Sequence, residues 1–251
     1  MTTYLKNLGY WLVAGVVAMS TVVCGFASLE ATADEPQKPN TLSDKERAEG
    51  WKLLFDGKTT SGWRGFKKDK CPDGWKVVEG ALVRAEGGGD IITTEEFDSF
   101  ELVFDWKVTE GANSGVFYRA SENAGAVYET APEYQILDNE KHPDGQHKVT
   151  SAASNYALHA PSKDMTRPVG QWNRGKIVVK GNHVEHWLNG EKVVQYELGS
   201  DEWTALVKES KFNSMPRYGK EPKGHIALQD HGNHVEYRSI KIRPLPAKKD
   251  G

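Results

Sequence analysis

Short runs of alternating apolar and polar residues follow one another along most of this chain, separated by Gly and Asp pairs. The runs are "WKLLFDG", "WKVVEGALVRA", "DIITTEEF", "FELVFDWKV", "SGVFYRA", "EYQILD", "NYALHA", "GKIVVKGNHVEHWLNGEKVVQYEL", "GHIALQDHG" and "VEYRSIKIRPL". A period of two is typical of strands with one buried face, and closely spaced turn signals are typical of sandwiches. The pattern therefore predicts an all-β sandwich.

One segment has a helical pattern instead. In "DEWTALVKESKF", residues 201–212, Asp201 can cap the helix, and Trp203, Leu206 and Val207 share one face. We therefore expect one short helix beside the strands.

Polar side chains recur on the outward sides of three of these strands. In "EYQILD", Glu133 and Gln135 alternate with Tyr134 and Ile136, which have the parity of the core. The same reasoning gives outward positions to Asn113, Arg119, Gln229 and His231. If the three strands are neighbours, these side chains form one site, and Gly115 leaves room for a ligand in front of the sheet. The alternative for each polar residue is an ordinary solvated surface.

Two tryptophans and several histidines have alternative interpretations. Trp172 and Trp187 are candidate stacking platforms for a sugar. His186 has the parity of a core residue, so it can reach a ligand only if a β-bulge turns it outward. Histidines in the loop around residues 139–160 could bind a metal with Asp138 or Asp144, but their spacing matches no familiar ligand signature and favours a solvated loop.

The N-terminal region differs from the rest of the chain. Residues 8–26 are nearly all apolar, and "ATA" at 31–33 is a small-x-small cleavage signal. We expect a signal peptide at 1–33, with an uncleaved membrane anchor as the alternative, and an exported protein, periplasmic or secreted, in a bacterial envelope. A polar linker at 34–48, a folded domain at 49–246 and a disordered tail at 247–251 complete the prediction.

Charge does not suggest a polyanionic partner. Lys and Arg number 32 against 35 Asp and Glu, so bulk charge gives no reason to expect nucleic acid as a partner.

Five segments in order resemble the 3-keto-disaccharide hydrolase domain family over about residues 49–244. They are "GWKLLFDGKTTSGW", "GANSGVFYR", "PEYQILDN", "GQWNRGKIVVKGNHVEHWLNGEKV" and "GHIALQDHGNHVEYRSIKIR". The resemblance implies a concanavalin A-like (lectin/glucanase) jelly-roll fold and an exported bacterial enzyme acting on glycosides oxidised to a ketone at C3. The matching positions that it marks as functional are Asn113, Arg119, Glu133, Gln135, His186, Gln229, Asp230 and His231.

The residues disfavour a conventional glycosidase. Such enzymes place two carboxylates across the glycosidic bond, whereas Gln135 stands between Glu133 and Asp138, and Asp138 has the opposite parity. A 3-keto sugar requires only one base, because the ketone acidifies the hydrogen on C2.

We therefore assign catalytic candidates for elimination of the leaving group followed by addition of water. Glu133 or His231 is the base, the other or His186 is the acid, and Arg119 with Gln135 or Asn113 stabilises the enolate. Gln229, Asp230 and Trp172 complete the predicted substrate-binding set. One base, one acid and a group that holds the oxyanion suffice, so the sequence predicts no definite cofactor, and a divalent metal in place of Arg119 is an alternative electrophile. The competing function is a carbohydrate-binding module of the cell envelope without catalysis.

Overall fold

The computed structural model describes residues 37–246 of the 251-residue chain. The predicted signal peptide and C-terminal tail lie outside these residues. Within this range no helix is long and apolar enough to cross a membrane.

Thirteen strands form the framework of residues 37–246. They are β1 (Lys52–Leu53), β2 (Trp63–Gly65), β3 (Trp75–Val78), β4 (Ala81–Arg84), β5 (Ile91–Thr93), β6 (Phe100–Val108), β7 (Asn113–Ala120), β8 (Glu133–Leu137), β9 (Asn173–Lys180), β10 (His183–Leu188), β11 (Glu191–Glu197), β12 (His225–Leu228) and β13 (Val235–Pro244).

Helical segments are short. Within the described range the α-helices are α1 (Asp44–Ala48) and α2 (Asp201–Glu209). The 3-10 helices are Val127–Glu129, Pro143–Gln146, Lys148–Thr150 and Lys211–Ser214. The predicted helix at 201–212 is therefore present but ends three residues early, and Ser200 caps it, since the Ser200 Oγ accepts from the N–H of Trp203 at 3.1 Å.

The strands form two antiparallel sheets. The large sheet has the order β11-β10-β9-β6-β13-β4-β3, with β1 paired to β13, and the small sheet has the order β2-β5-β12-β7-β8. Strands β6 and β7 follow each other in sequence but belong to different sheets, so the chain crosses from one layer to the other between them. This arrangement confirms the predicted all-β jelly-roll sandwich.

The inward faces of the two sheets form the main core. On β6, Phe100, Leu102, Phe104 and Trp106 are almost completely buried. The Phe104 ring packs edge-on against Tyr134 of the small sheet, with centroids 5.3 Å apart. The alternation read from the sequence therefore gives the inward faces correctly.

The outward face of the small sheet is also covered, which strand alternation did not predict. A second apolar cluster lies there, formed by Ile92, Phe117, Ala120, Val127, Ala131 and Ala227. Val127 and Ala131 belong to the loop between β7 and β8, so this loop folds over the outside of the sheet. As a result, every residue of β7 and β8 is buried.

A second covering segment lies beside β8. The N–H of Ala153 donates to the carbonyl of Gln135 at 2.8 Å, and the N–H of Tyr156 donates to the carbonyl of Glu133 at 3.1 Å. Residues 152–156 thus use hydrogen-bonding groups that would otherwise be open at the edge of the small sheet.

The start of the described chain packs on the large sheet. Asn40 accepts from the N–H of Ser239 at 2.7 Å and donates to the carbonyl of Gly80 at 2.8 Å. Glu46 of α1 forms an ion pair with Lys241 of β13. The end of the segment predicted to be a linker is thereby held against the domain.

Candidate active site

A cavity of about 180 Å³ opens on the outward side of the small sheet. It is lined by Asn113, Tyr128, Glu133, Gln135, Tyr156, Lys211, Gln229 and His231. Five of the nine sequence-predicted site residues are in this set: Asn113, Glu133, Gln135, Gln229 and His231.

Strand register brings these five residues together. Gly115 of β7 pairs with Gln135 of β8, and the N–H of Gln229 donates to the carbonyl of Gly115 at 3.0 Å. Because β7 lies between β8 and β12, outward side chains from three separate parts of the sequence meet around position 115.

Gly115 supplies the space that Glu133 occupies. A Cβ atom at position 115 would overlap the Glu133 carboxylate. The side chain of Glu133 therefore lies across the backbone of β7, directly above the glycine. Any larger residue at position 115 would displace the carboxylate.

Burial dominates the electrostatics of Glu133. The residue is 6% exposed, and no backbone or side-chain group of residues 37–246 donates a hydrogen bond to its carboxylate. Desolvation raises its pKa from 4.5 to about 8; Lys211 opposes the rise, and the charges of Asp90 and Asp144 add to it. Glu133 is therefore mostly protonated at neutral pH and a stronger base than an ordinary carboxylate.

Two amide oxygens in the wall lack hydrogen-bond partners. Gln135 Oε1 and Gln229 Oε1 are buried and unpaired among the described residues. Gln135 is held at its other end, since its Nε2 donates to the carbonyl of Thr150 at 3.2 Å. Buried polar atoms are usually paired, so these oxygens are suited to accept from the hydroxyl groups of a ligand.

His142 orients the Asn113 amide. The His142 Nδ1 accepts from the N–H of Asp144 at 3.1 Å, so the neutral ring carries its proton on Nε2. That nitrogen lies 3.4 Å from Asn113 Nδ2, and two N–H donors cannot pair with each other. Exchanging the amide oxygen and nitrogen of Asn113, whose assignment rests on such networks, pairs the oxygen with His142 and leaves the N–H₂ as donor toward the cavity.

Three lining residues escaped prediction because they come from covering segments. Tyr128 lies on the loop between β7 and β8, Tyr156 on the segment beside β8, and Lys211 at the start of the 3-10 helix after α2. The Lys211 Nζ lies 4.3 Å from the centre of the Tyr156 ring. The Tyr156 hydroxyl donates to Asp144 at 3.2 Å, and burial raises its pKa to about 12. Strand alternation carries no signal for such residues.

Arg119 is not part of the cavity, contrary to prediction. Phe117 pairs with Ala227 and Ala120 pairs with His225, so two residues of β7 oppose one residue of β12. This β-bulge, with Arg119 at φ 56°, breaks the alternation. The guanidinium donates to the carbonyl of Gly181 at 2.7 Å and pairs with Asp98 at 3.3 Å, so it ties the small sheet to the turn between β9 and β10.

His186 lies in the core between the sheets, so it cannot act as the acid that was considered. It is fully buried; its Nδ1–H donates to the carbonyl of Ala153 at 3.0 Å, and Tyr118 donates to its Nε2 at 3.3 Å. Burial lowers its pKa to about 3, which keeps the ring neutral. A register shift follows His186 on β10, but it does not turn the ring outward.

Asp230 is also outside the cavity lining. Its carboxylate accepts from Arg84 Nε at 2.6 Å and from the N–H groups of Gly88 and Gly89 at 2.9 Å. Burial favours a higher pKa, but these hydrogen bonds hold it below its ordinary value. Asp230 therefore fixes the backbone beside His231 instead of contacting a ligand in this cavity.

Trp172 lies on the outward face of the large sheet, away from the cavity. Arg238 lies 4.0 Å and Lys107 4.9 Å from the centre of its ring. Trp187, the second candidate platform, has Lys176 at 3.7 Å. Both rings are engaged by cations of the same sheet.

The described residues contain no large cluster of His, Cys, Asp and Glu side chains. Among residues 37–246, no group of three or more His, Cys, Asp or Glu side chains is arranged to hold a metal ion. Of the three histidines of the loop, His142 contacts the Asn113 amide and His159 contacts the Asn155 amide. The alternative in which a metal replaces Arg119 therefore has no such cluster among residues 37–246.

Comparisons with known proteins agree with this architecture. The family described as the 3-keto-alpha-glucoside-1,2-lyase-like domain matches residues 50–243. A 3-keto-disaccharide hydrolase from Bacteroides thetaiotaomicron is 36% identical over 96% of this chain and 100% of that protein.

Two solved structures from Parabacteroides distasonis, both of candidate glycosyl hydrolases, are similar as well. One is 35% identical with a TM-score of 0.78, covering 83% of this chain and 100% of that chain. The other is 28% identical with a TM-score of 0.62, covering 78% and 99%.

The burial of Glu133 predicts how stability depends on pH. The unfolded chain ionises this residue near pH 4.5, whereas the native protein keeps the proton until about pH 8, so the free energy of unfolding falls across this interval. Glu133→Gln removes the ionisation, so its stability relative to the wild type should improve between pH 5 and pH 9. At about 1.4 kcal/mol per pKa unit, the improvement is on the order of 4 kcal/mol at most.

Urea denaturation at both pH values measures this difference. Glu191→Gln is the matched control, because it removes a half-exposed carboxylate from the other sheet. An equal improvement in the control would assign the effect to net charge, and no improvement in Glu133→Gln would show that Glu133 ionises normally.

Proposed function

The chain belongs to the 3-keto-alpha-glucoside-1,2-lyase-like domain family, and we propose that it is an exported enzyme that cleaves 3-keto glycosides, including disaccharides. The comparisons support the general activity, a hydrolase acting on glycosidic bonds. The observation that carries the finer proposal is Glu133, a buried carboxylate with a pKa raised to about 8. It stands among hydrogen-bonding side chains in a cavity about the size of one sugar ring.

The number of carboxylates in the lining favours this chemistry. Glu133 is the one carboxylate among the eight residues that line the cavity. A conventional glycosidase needs a second carboxylate across the scissile bond. A ketone at C3 removes that requirement, since a single base at C2 can start the reaction.

In the first step Glu133 removes the proton from C2. The electron pair moves into the C2–C3 bond, and the C3 carbonyl oxygen becomes an enolate oxygen. The N–H₂ of Asn113 and the ammonium group of Lys211 stabilise this charge, so Lys211 takes the role first assigned to Arg119.

In the second step the enolate re-forms the ketone and expels the leaving oxygen from C1. His231, at the exposed rim, donates the proton to that oxygen. Water then adds to C1 of the resulting enone and gives one proton to His231, and protonated Glu133 returns its proton to C2. The net change is hydrolysis, and both Glu133 and His231 end in their starting forms.

The amide side chains hold the substrate during these steps. The unpaired Gln135 Oε1 and Gln229 Oε1 accept from sugar hydroxyls. Because the oxygens are buried, a substrate without the matching hydroxyls leaves them unpaired, which penalises binding.

The proposal predicts a strict dependence on the ketone and on Glu133. The purified protein should cleave a 3-keto glucoside and leave the parent glucoside intact. Glu133→Gln should lower kcat/KM by about 100- to 10,000-fold, the usual contribution of a general base. Release of the free sugar, followed by chromatography, measures both.

The same assay separates the alternatives. Glu191→Gln should keep the wild-type rate, because it lies on the other sheet. Cleavage of the unoxidised glucoside would contradict the mechanism. Binding of the 3-keto glucoside without turnover would favour the carbohydrate-binding module.

The interaction between Lys211 and Glu133 predicts how the reaction rate depends on pH. The free enzyme needs ionised Glu133, so kcat/KM should rise as the pH increases toward about 8. Because Lys211 lowers the pKa of Glu133, Lys211→Met should move this rise to higher pH. Lys208→Met, one turn away on α2, is the control for loss of a positive charge. An unchanged profile in Lys211→Met would show that the two groups do not interact.

Export is the remaining part of the proposal, and its support is the apolar segment at 8–26 followed by "ATA". Mass spectrometry of the protein recovered from the periplasm or medium of a bacterial host should find a mature N-terminus at Asp34. A full-length protein in the membrane fraction would favour the uncleaved anchor, and one in the cytoplasm would contradict export.

A further inference from the structure

A second cavity of about 400 Å³ lies next to the first on the same side of the protein. It is lined by Asn123, Ala124, Tyr128, Glu129, Ser214, Met215, Pro216 and Arg217. Tyr128 lines both cavities, so its ring stands between them. Nothing in the proposed mechanism uses this second space.

Tyr128 is held in place but remains open to solvent. It is 43% exposed, whereas its neighbour Val127 is completely buried in the apolar cluster on the small sheet. The buried Val127 fixes the short helix that carries the tyrosine. An exposed aromatic side chain on a fixed support is suited to stack against a ring.

The opposite wall is tied to the same loop. The helix Lys211–Ser214 begins in the first cavity at Lys211 and reaches the second at Ser214. The N–H of Gly219 donates to the carbonyl of Thr130 at 2.9 Å, which joins this segment to the loop of Tyr128. The two segments that form the walls of the second cavity are therefore joined by a hydrogen bond.

The second cavity has the mixed character of a sugar site. Ala124, Met215 and Pro216 provide apolar surface, and Asn123 and Arg217 provide polar groups beside it. A sugar ring likewise has an apolar face of C–H groups and an edge of hydroxyls.

We propose that the second cavity binds the leaving group of the substrate as a second sugar ring, with Tyr128 as its stacking platform. The inference rests on the proposed function. The first cavity holds about one ring, and the glycosidic bond of a disaccharide must cross to a neighbouring space. The bond would pass beside Tyr128, which lines both cavities. On the opposite wall it would pass between Lys211 in the first cavity and Ser214 in the second.

Substrate preference tests the assignment. The wild-type protein and its variants are compared on a 3-keto disaccharide and on the methyl 3-keto glucoside, which has no second ring. Tyr128→Ala should lower the ratio of kcat/KM for the disaccharide to that for the methyl glycoside by about fivefold, the loss expected for one ring contact. The change should appear in the KM of the disaccharide.

A second variant blocks the cavity instead of removing its platform. Ser214 is exposed and does not line the first cavity. Ser214→Tyr should lower the same ratio by about tenfold or more, because the added ring competes for the space. Val169→Ala is the control, since Val169 is 43% exposed like Tyr128 but lies in a different cleft; it should keep the wild-type ratio.

The outcomes separate the inference from the function beneath it. If the wild type cleaves both substrates and neither variant changes the ratio, the second cavity is not the leaving-group site. Equal losses on both substrates would also overturn the assignment. If the wild type cleaves neither 3-keto substrate, the proposed function fails and the inference fails with it.

Discussion

The site depends on the free-energy cost of burying a carboxylate that receives no hydrogen bond. Water stabilises an ionised carboxylate far better than an apolar surrounding does, so a buried group without donors retains its proton. At Glu133 the cost of burying a charge is avoided near physiological pH, because the carboxyl group stays protonated and neutral. Gly115 is required by the same arrangement, since a Cβ atom at this position would overlap the Glu133 side chain where it lies across β7.

Two layers of structure maintain that environment. The loops on the outside of the small sheet exclude water from β7 and β8. The core supports one of these loops from behind, because His186 donates to the carbonyl of Ala153 and thus holds the segment that carries Tyr156. His186, predicted as a candidate acid, therefore does not contact the cavity but helps to position the segment that forms one of its walls.

The sequence predicts those parts of the protein in which local periodicity decides the outcome. Alternation identifies the inward face of β6 and the outward position of Glu133 and Gln135, because both strands are regular. It fails for Arg119, where a β-bulge adds one residue and the parity changes. It also carries no information about Tyr128 or Lys211, whose positions depend on how loops pack over a sheet.

Asp230 shows how far the site extends beyond its lining. Its hydrogen bonds with Arg84 of the large sheet and with the turn at Gly88 and Gly89 join the end of β12 to the opposite layer. His231 follows directly in the chain. The position of the His231 imidazole therefore depends on both sheets. Transplanting this site into another sandwich would require Arg84 and the turn at Gly88 and Gly89 as well as the small sheet.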